Sequence, residues 1–345
     1  MSMAPAACIG GLYEACIGVP DLAQATAFFE SFGCRPGPVG ELDAGAARSL
    51  YGVDSALRSV RLLHQQADHG LVRLMQWERP LNEGLGIAPN LRCVGSRWGV
   101  RVTQSVMNIV NHAQRAREAG QPLTLIDPVL AVIGEVSGVR ASRPFLDPIV
   151  GVREMVLMLP LYRQVFFERF GYESPGYGRI HPDCLFRTSQ HTHFGLMIAN
   201  DDAHVLDFYD EVLGLQRMLD EHTPYDNATG SRSIFGLEPG EGFHMVDFDD
   251  PRSGRALAER LSGKLKCVRF AANARIDQRL NHSRPGCLGY SLYTWRARGL
   301  DALHRRVSAA GARQVRDITE DEFGQRSFGF NAPDGYPWVL IEAGD

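Results

Sequence analysis

The sequence lacks the features of membrane, secreted and nucleic-acid-binding proteins. Its 345 residues contain no long uninterrupted apolar run, so no transmembrane segment is predicted. Acidic and basic residues are mixed along the chain, and the formal net charge of −4 leaves no basic surface for nucleic acid or an anionic membrane. The first residues have neither the basic start nor the apolar middle of a secretory signal. These absences predict a cytoplasmic protein.

Cysteine patterns and common cofactor motifs are also missing. The seven cysteines are scattered and odd in number, and no Cys-x-x-Cys pair occurs. A disulfide framework or a cysteine zinc site is therefore not expected, and a reducing compartment fits best. Phosphate-binding glycine loops, the His-Glu-x-x-His motif and the Gly-x-Ser-x-Gly elbow are absent as well. Nucleotide cofactors and serine-hydrolase chemistry are thus disfavoured.

The chain does contain a repeated motif, in which an alternating strand and a turn precede an amphipathic helix. Its copies cover residues 13–33, 154–171 and 193–214, and the hexapeptides FFESFG and FFERFG in the first two are nearly identical. Asp21 and Asp201 are placed to cap the helices that follow them. Each helix would end at a glycine suited to a left-handed terminal conformation, namely Gly33, Gly171 and Gly214.

Less regular copies of this motif extend the pattern over the rest of the chain. Residues 98–119 and 288–310 each predict a strand followed by a helix. Short runs after the helices, for instance 231–237 and 243–248, predict further strands, and Pro333-Asp334-Gly335 predicts a tight turn. Strand–helix–strand units in this order predict an α+β fold with mostly antiparallel sheets.

These motifs resemble the modules of the vicinal-oxygen-chelate superfamily, which includes glyoxalases, bleomycin-resistance proteins and extradiol dioxygenases. Residues 193–214 are similar to the family's opening strand and helix, and residues 330–338 to its closing hairpin. Residues 145–156 give a second, looser match to that hairpin. The resemblance implies repeated βαβββ modules that pair into two curled, open-barrel sheets. Four modules are expected, at about 10–80, 95–160, 190–250 and 285–345.

Pairing of neighbouring modules divides the chain into three predicted parts. Residues 1–160 would hold the N-terminal pair of modules, residues 161–190 a linker with a helix, and residues 191–345 the C-terminal pair. Residues 154–171 can also be read as the start of another module. Too few residues then follow before His191 for three further strands, so the linker reading is preferred.

In this family, inward-facing His and Glu side chains on the first and last strands of the modules hold a divalent metal. The resemblance places His193 at the first ligand position and Asp247 near the last-strand position of module three. Glu342 would complete the set only if a bulge near Pro337 turned it inward, because the family's position falls on Val339. Fe, Mn, Ni or Zn would suit an imidazole ligand.

His191, His244 and Tyr290 are the candidates for moving protons beside that metal. Strand alternation predicts that His191 lies on the same face as His193, with space beside Gly195. Tyr290 stands where ring-cleaving dioxygenases have a second His. Metal-assisted isomerase, epimerase or lyase chemistry on a small oxygen-rich or aromatic substrate, or an unusual dioxygenase reaction, is therefore favoured over classical ring cleavage.

Two alternatives stay open. Glu14, which matches the position of His193, and Glu154, which follows Pro148 by the family's six residues, could form a second site for a metal or for proton transfer. The protein could instead be a metal-free binding protein of the same fold. Its cleft would then be lined by aromatic side chains, namely Trp295, Trp338, Tyr293 and Phe330. Each reading predicts a small-molecule partner, and assembly of identical copies remains open.

Overall fold

The fold consists mainly of two curled eight-stranded sheets, built from four βαβββ modules. A computed structural model describes residues 9–87, 91–135, 149–199, 202–228, 230–272 and 274–344. The first half contains β1 (Ile9–Gly18), α1 (Leu22–Glu30), β2 (Cys34–Leu42), α2 (Ala44–Tyr51), β3 (Leu57–His64), β4 (Leu71–Trp77), β5 (Cys93–Val94), β6 (Arg97–Thr103), α3 (Val106–Glu118), β7 (Thr124–Glu135), β8 (Ile149–Met158) and β9 (Arg163–Phe170).

The second half contains β10 (Thr188–Met197), β11 (Gln216–Pro224), α4 (Ser231–Phe235), β12 (Gly242–Asp249), β13 (Lys264–Phe270), β14 (Asp277–Gln278), β15 (Gly289–Ala297), α5 (Leu300–Ala309), β16 (Thr319–Glu320), β17 (Arg326–Asn331) and β18 (Pro337–Glu342). In module three a π-helical turn, Phe208–Val212, stands where the other modules have an α-helix. No described helix is both long and apolar enough to cross a membrane.

The modules pair differently from the prediction. Sheet 1 has the strand order β16-β17-β18-β15-β1-β4-β3-β2, so the first and fourth modules share it. Sheet 2 has the order β11-β12-β13-β10-β6-β9-β8-β7 and joins the second and third modules. The antiparallel pairs β1–β15 and β6–β10 connect the modules within each sheet. The predicted pairs over 1–160 and 191–345 are therefore wrong, because neither half of the chain forms a sheet by itself.

The predicted linker helix within residues 161–190 is also wrong. Strand β9 occupies residues 163–170 and completes module two between β6 and β8. The hexapeptide FFERFG thus ends a strand, whereas FFESFG lies at the end of α1. Backbone hydrogen bonds to two neighbouring strands decide the structure of the second copy, and they outweigh a local pattern that both copies share.

Several local predictions are confirmed. Asp21 caps α1 by accepting a hydrogen bond from the backbone N–H of Gln24, and Gly33 after it has a φ of +81°. Helices α3 and α5 and the turn around Gly335 also occur as predicted. The strand predicted at residues 231–237 is wrong, since a helix, α4, begins there. Asp201 and residues 145–148 of the looser hairpin lie outside the described residues.

The largest apolar core lies where the two sheets pack together. It combines side chains of both sheets with those of α1 and α5. The four aromatic residues predicted to line a cleft belong to this core instead, and the rings of Trp295 and Trp338 stack 4.0 Å apart. Each sheet therefore keeps its own concave face. We call the concave face of sheet 1 hollow 1 and that of sheet 2 hollow 2.

Candidate functional site

His193 and His191 face different sides of sheet 2, contrary to the prediction that they share one face. The register of β10 on β6 shifts on both sides of His191. These irregularities break the alternation of side chains. His193 therefore faces hollow 2, and the His191 ring lies beside Gly99, on the side of sheet 1. Gly195 does not open space either, because a Cβ there would lie 1.9 Å from Cε2 of Trp98.

Hollow 2 contains two lysines and two aspartates on adjacent strands. Nζ of Lys264 lies 2.8 Å from Oδ2 of Asp247 and 3.4 Å from Oδ1 of Asp249. Nζ of Lys266 lies 3.9 Å from Oδ1 of Asp247 and remains 21% exposed. Burial alone would raise the pKa of Asp247, but the two ammonium groups outweigh it and hold that pKa at about 2. Asp247 is thus an anion held by the protein's own cations.

Glu154 faces the same hollow from β8. Its pKa is raised to about 7 by burial, and the charge of Lys266 opposes that rise. β8 and β13, which carry these two residues, are separated in sheet 2 by β9, β6 and β10. The influence of Lys266 on Glu154 therefore acts across the curled face. A carboxyl group with a pKa near neutrality can both accept and donate a proton under physiological conditions.

His193 is held as a neutral ring. Its Nδ1 lies 2.8 Å from Oη of Tyr177, and the ring of Phe167 packs beside it. Burial lowers the pKa of His193 well below its ordinary value, and the nearby Lys266 and Lys264 lower it further. When the Tyr177 hydroxyl donates to Nδ1, the ring proton resides on Nε2 and is available to another acceptor.

Hollow 1 contains a buried ion cluster around Glu14. Nε and Nη2 of Arg73 donate to Oε2 of Glu14 at 3.0 and 2.6 Å, and Arg61 donates to Oε1. Thr294 donates to the same carboxylate at 3.1 Å. Burial would raise the pKa of Glu14, but the two guanidinium groups outweigh it and lower that pKa. Glu14 is therefore committed to structural contacts, and it lies on a different sheet from Glu154. The predicted pair of the two is not assembled.

The loop between β16 and β17 closes hollow 1. Asp321 and Glu322 place carboxylate oxygens 3.4 and 3.2 Å from the Arg73 guanidinium. The ring of Phe323 covers the guanidinium groups of Arg61 and Arg73, with centroid distances of 4.2 and 5.0 Å. These contacts seal the charged cluster.

Glu342 lies on the outer face of sheet 1. Strands β17 and β18 pair in regular register, so no bulge at Pro337 turns Glu342 inward. Its carboxylate accepts a hydrogen bond from Arg326 at 2.7 Å, and Arg326 also contacts Asp301 of α5. His193 belongs to sheet 2. The predicted metal ligands are therefore not brought together.

His244 lies on the opposite face of β12 from Asp247, as strand alternation requires. Its Nε2 lies 2.6 Å from Oδ1 of Asp220, and its Nδ1 accepts a hydrogen bond from Arg269 at 2.8 Å. The ring stacks on His222 at 4.1 Å. These contacts place His244 outside hollow 2, so the prediction of a catalytic role there is not supported.

Tyr290 and His191 meet on the core side of the two sheets, outside both hollows. A Cβ on Gly99 would lie 2.4 Å from the His191 ring and 3.0 Å from Oη of Tyr290. In the described part of the chain, neither the His191 nitrogens nor the Tyr290 hydroxyl has a hydrogen-bond partner. Burial lowers the pKa of His191 and raises that of Tyr290, so both are neutral. Neither reaches a hollow.

The donor sets in the two hollows do not fit a divalent metal. In hollow 2, His193 pairs directly with Lys264 of β13, the last strand of module three. Lys264 and Lys266 thus bring cations to the last strand of module three, the kind of strand on which the family resemblance implies a metal ligand. In hollow 1 the guanidinium of Arg73, on the last strand of module one, takes that place beside Glu14. Among the described residues, no group of three or more His, Cys, Asp or Glu side chains could hold a metal ion.

The lysines of β13 are functional candidates that the sequence reasoning missed. The run KLKCVRF carries Lys264 and Lys266 two residues apart, which puts both on one face of a strand. The predicted module three ended near residue 250, because β12 was taken as its last strand. Residues 250–263 form a long connection, and the closing strand follows it. The sequence reasoning did identify Glu154, but it paired this residue with Glu14, which lies on the other sheet.

Comparison with known proteins supports the architecture. Residues 190–340 match the model of the Glyoxalase/Bleomycin resistance protein/Dioxygenase superfamily. A comparison with curated proteins gave no match. A glyoxalase I mutant from Zea mays is similar in structure, with a TM-score of 0.53 and 13% identity, over 97% of this chain and 94% of the other.

Two further structures show the same similarity. Glyoxalase I from Zea mays has a TM-score of 0.51 at 13% identity, over 97% of this chain and 93% of its own. A protein from Bacillus subtilis that is described as a candidate dioxygenase has a TM-score of 0.51 at 13% identity, over 97% and 86%. At this identity the likeness establishes the fold alone. Residues 190–340, somewhat less than half of the chain, are thus similar in sequence to the glyoxalase/bleomycin resistance protein/dioxygenase superfamily, and the whole chain has the vicinal-oxygen-chelate fold of these structures.

Proposed function

We propose that this protein binds a small, oxygen-rich anion in hollow 2 and exchanges a proton with it through Glu154, without a divalent metal. The observation that carries the proposal is that Lys266 and Glu154 face the same hollow, where the charge of Lys266 opposes the rise in the Glu154 pKa. Lys266 is a partly exposed cation, and Glu154 is a carboxyl group whose pKa lies at about 7. The fold family supplies the expectation that such a concave face binds a small molecule.

Lys266 is the cation best placed to hold a ligand's oxygen. Lys264 is buried and bonded to Asp247 at 2.8 Å, whereas Lys266 is 3.9 Å from the same carboxylate and reaches solvent. An ammonium group in a partly desolvated hollow stabilises negative charge that develops on an enolate oxygen. The fixed cation would thus perform the electrostatic part of the work that a metal performs elsewhere in the family.

Glu154 would act as the base. At neutral pH about half of its carboxyl groups are ionised, as follows from a pKa of about 7. Proton removal next to a carbonyl, assisted by Lys266, belongs to isomerase or lyase chemistry. His193, neutral and bonded to Tyr177, would donate Nε2–H to the bound molecule rather than carry charge.

Hydrogen–deuterium exchange of 2-oxo acids tests this proposal. Purified protein is incubated in D2O with a series of 2-oxo acids, and exchange next to the carbonyl is followed by NMR. We expect exchange that survives EDTA and falls about 100-fold or more in Glu154→Gln. Glu168→Gln is a matched control, because Glu168 on β9 accepts a hydrogen bond from the N–H of Val106 of α3.

Two results would contradict the proposal. One is exchange that EDTA abolishes and added metal restores, since a metal would then do the work. The other is equal activity in Glu154→Gln and wild type. If no 2-oxo acid exchanges, oxalate binding measured by calorimetry still tests the anion site. Lys266→Gln must then weaken oxalate binding, and unchanged affinity would refute the site.

A further inference from the structure

A cavity lies between the first and fourth modules, in the part of hollow 1 next to the Glu14 cluster and apart from hollow 2. Its volume is about 570 Å³, within the range of small-molecule sites. The end of α2 and the segment after it form one side, and strands β17 and β18 form another. Residues 280–285 complete the wall.

Two arginines give this cavity a positive charge. Arg284 is exposed, and Arg316 is half-buried beside Gly52, where a Cβ would lie 2.0 Å from Nη2 of Arg316. Burial lowers the pKa of the Arg316 guanidinium. Among the described side chains, neither arginine takes part in an ion pair, and Asp54 in the same wall is bonded to Arg48 at 2.7 Å.

The remaining lining is part polar and part apolar. Gln314 and Asn331 are bonded to each other at 3.2 Å and offer amide groups on one side. Leu50, Leu292 and Val339 form an apolar wall. A cavity lined by both cations and hydrocarbon suits a molecule that has an acidic group and an apolar body.

We propose that this cavity is a binding site for an amphipathic organic anion, whose acidic group lies between Arg284 and Arg316 and whose apolar body packs on Leu50, Leu292 and Val339. The site is independent of hollow 2, since it belongs to sheet 1 and uses none of the residues proposed there. The guanidinium of Arg316 is prepositioned by its contact with the carbonyl of Arg48 at 3.2 Å and by the space that Gly52 leaves. Such prepositioning reduces the entropy lost on binding.

A pair of matched fluorescent probes tests the site. The anion 1-anilinonaphthalene-8-sulfonate is titrated against the full chain, and its uncharged analogue N-phenyl-1-naphthylamine serves as the control ligand. We expect the anion to bind more tightly than the neutral analogue. Arg316→Gln and Arg284→Gln should each weaken anion binding about tenfold. Arg35→Gln, a change at an exposed arginine outside the cavity, should leave the affinity unchanged.

Three outcomes would overturn the proposal. They are equal binding of the neutral analogue, equal weakening by Arg35→Gln, and loss of binding in Lys266→Gln with none in the two cavity variants. The last would assign the dye to hollow 2. Because Arg316 packs against Gly52, its variant is also checked by urea unfolding. Arg284 is exposed, so Arg284→Gln remains decisive if Arg316→Gln alters stability.

Discussion

Replacement of Arg73 by methionine tests the ion cluster in hollow 1. Arg73 is fully buried and donates twice to Glu14 and once to Tyr51, at 2.9 Å. It is also the cation beside Asp321 and Glu322. The variant leaves Glu14 with Arg61 as its remaining cation and removes the cation that Asp321 and Glu322 share. Breaking a buried ion pair from one side costs about 3–5 kcal/mol, and we expect a loss of that size in the free energy of unfolding at pH 7.

The pH dependence gives this prediction a second test. In the wild type the lowered pKa of Glu14 contributes stability that is present above its unfolded pKa and is lost as the pH falls. In Arg73→Met the unpaired carboxylates have raised pKa values, because burial is no longer opposed by the guanidinium. Protonation then relieves the buried charge, so the difference between variant and wild type should shrink as the pH falls from 7 to 5.

Urea unfolding measures both effects. Arg58→Met is the matched control, because Arg58 forms an exposed pair with Glu41 at 3.4 Å. Such surface pairs contribute about 0–1 kcal/mol, so the control should unfold close to wild type. A loss below about 1 kcal/mol in Arg73→Met, or a difference that grows as the pH falls, would refute the account of hollow 1.

Three further predictions concern single side chains. The exchange reaction proposed for Glu154 should rise about tenfold per pH unit below pH 7 and level off above it, since the carboxylate form is the base; a flat profile would contradict this. Burial lowers the pKa of His64 to about 3, so the unfolded chain takes up a proton at this residue before the folded protein does. The free energy of unfolding therefore falls as the pH falls from about 6.5 toward 3. In His64→Leu, acid titrations should show a less steep fall over that range. Gly195→Ala should lower the free energy of unfolding by about 2 kcal/mol or more, measured in urea, because its Cβ would meet the indole of Trp98; an unchanged midpoint would be inconsistent with that contact.

The sequence predicted the modules well where a local signal decides the structure. Asp21 and Gly33 mark the two ends of α1, and Pro333-Asp334-Gly335 forms the last hairpin turn, because caps and turns depend on a few adjacent residues. The pairing of modules is different in kind. The antiparallel pairing of β1 with β15 joins residues that lie almost the whole chain apart in sequence, and no local pattern specifies it. The hexapeptides FFESFG and FFERFG show the same limit, since neighbouring strands decide the second.

The candidate site was predicted only in part. His193 faces a hollow as the resemblance implied, but the irregular register around His191 separates the two imidazoles. Alternation alone could not reveal that irregularity. Glu342 turned outward because β18 pairs regularly, and Asp247 proved to be bonded to lysines whose strand had been missed. A long connection between β12 and β13 hid those lysines.

Metal analysis of the purified protein tests the central claim most directly, because fixed cations from β4 and β13 are proposed to stand where the family resemblance implies a metal. Protein prepared without chelators and analysed by plasma mass spectrometry should hold well below one equivalent of Fe, Mn, Ni or Zn, and His193→Ala should not change that content. One tightly held equivalent in the wild type that disappears in His193→Ala would contradict the account.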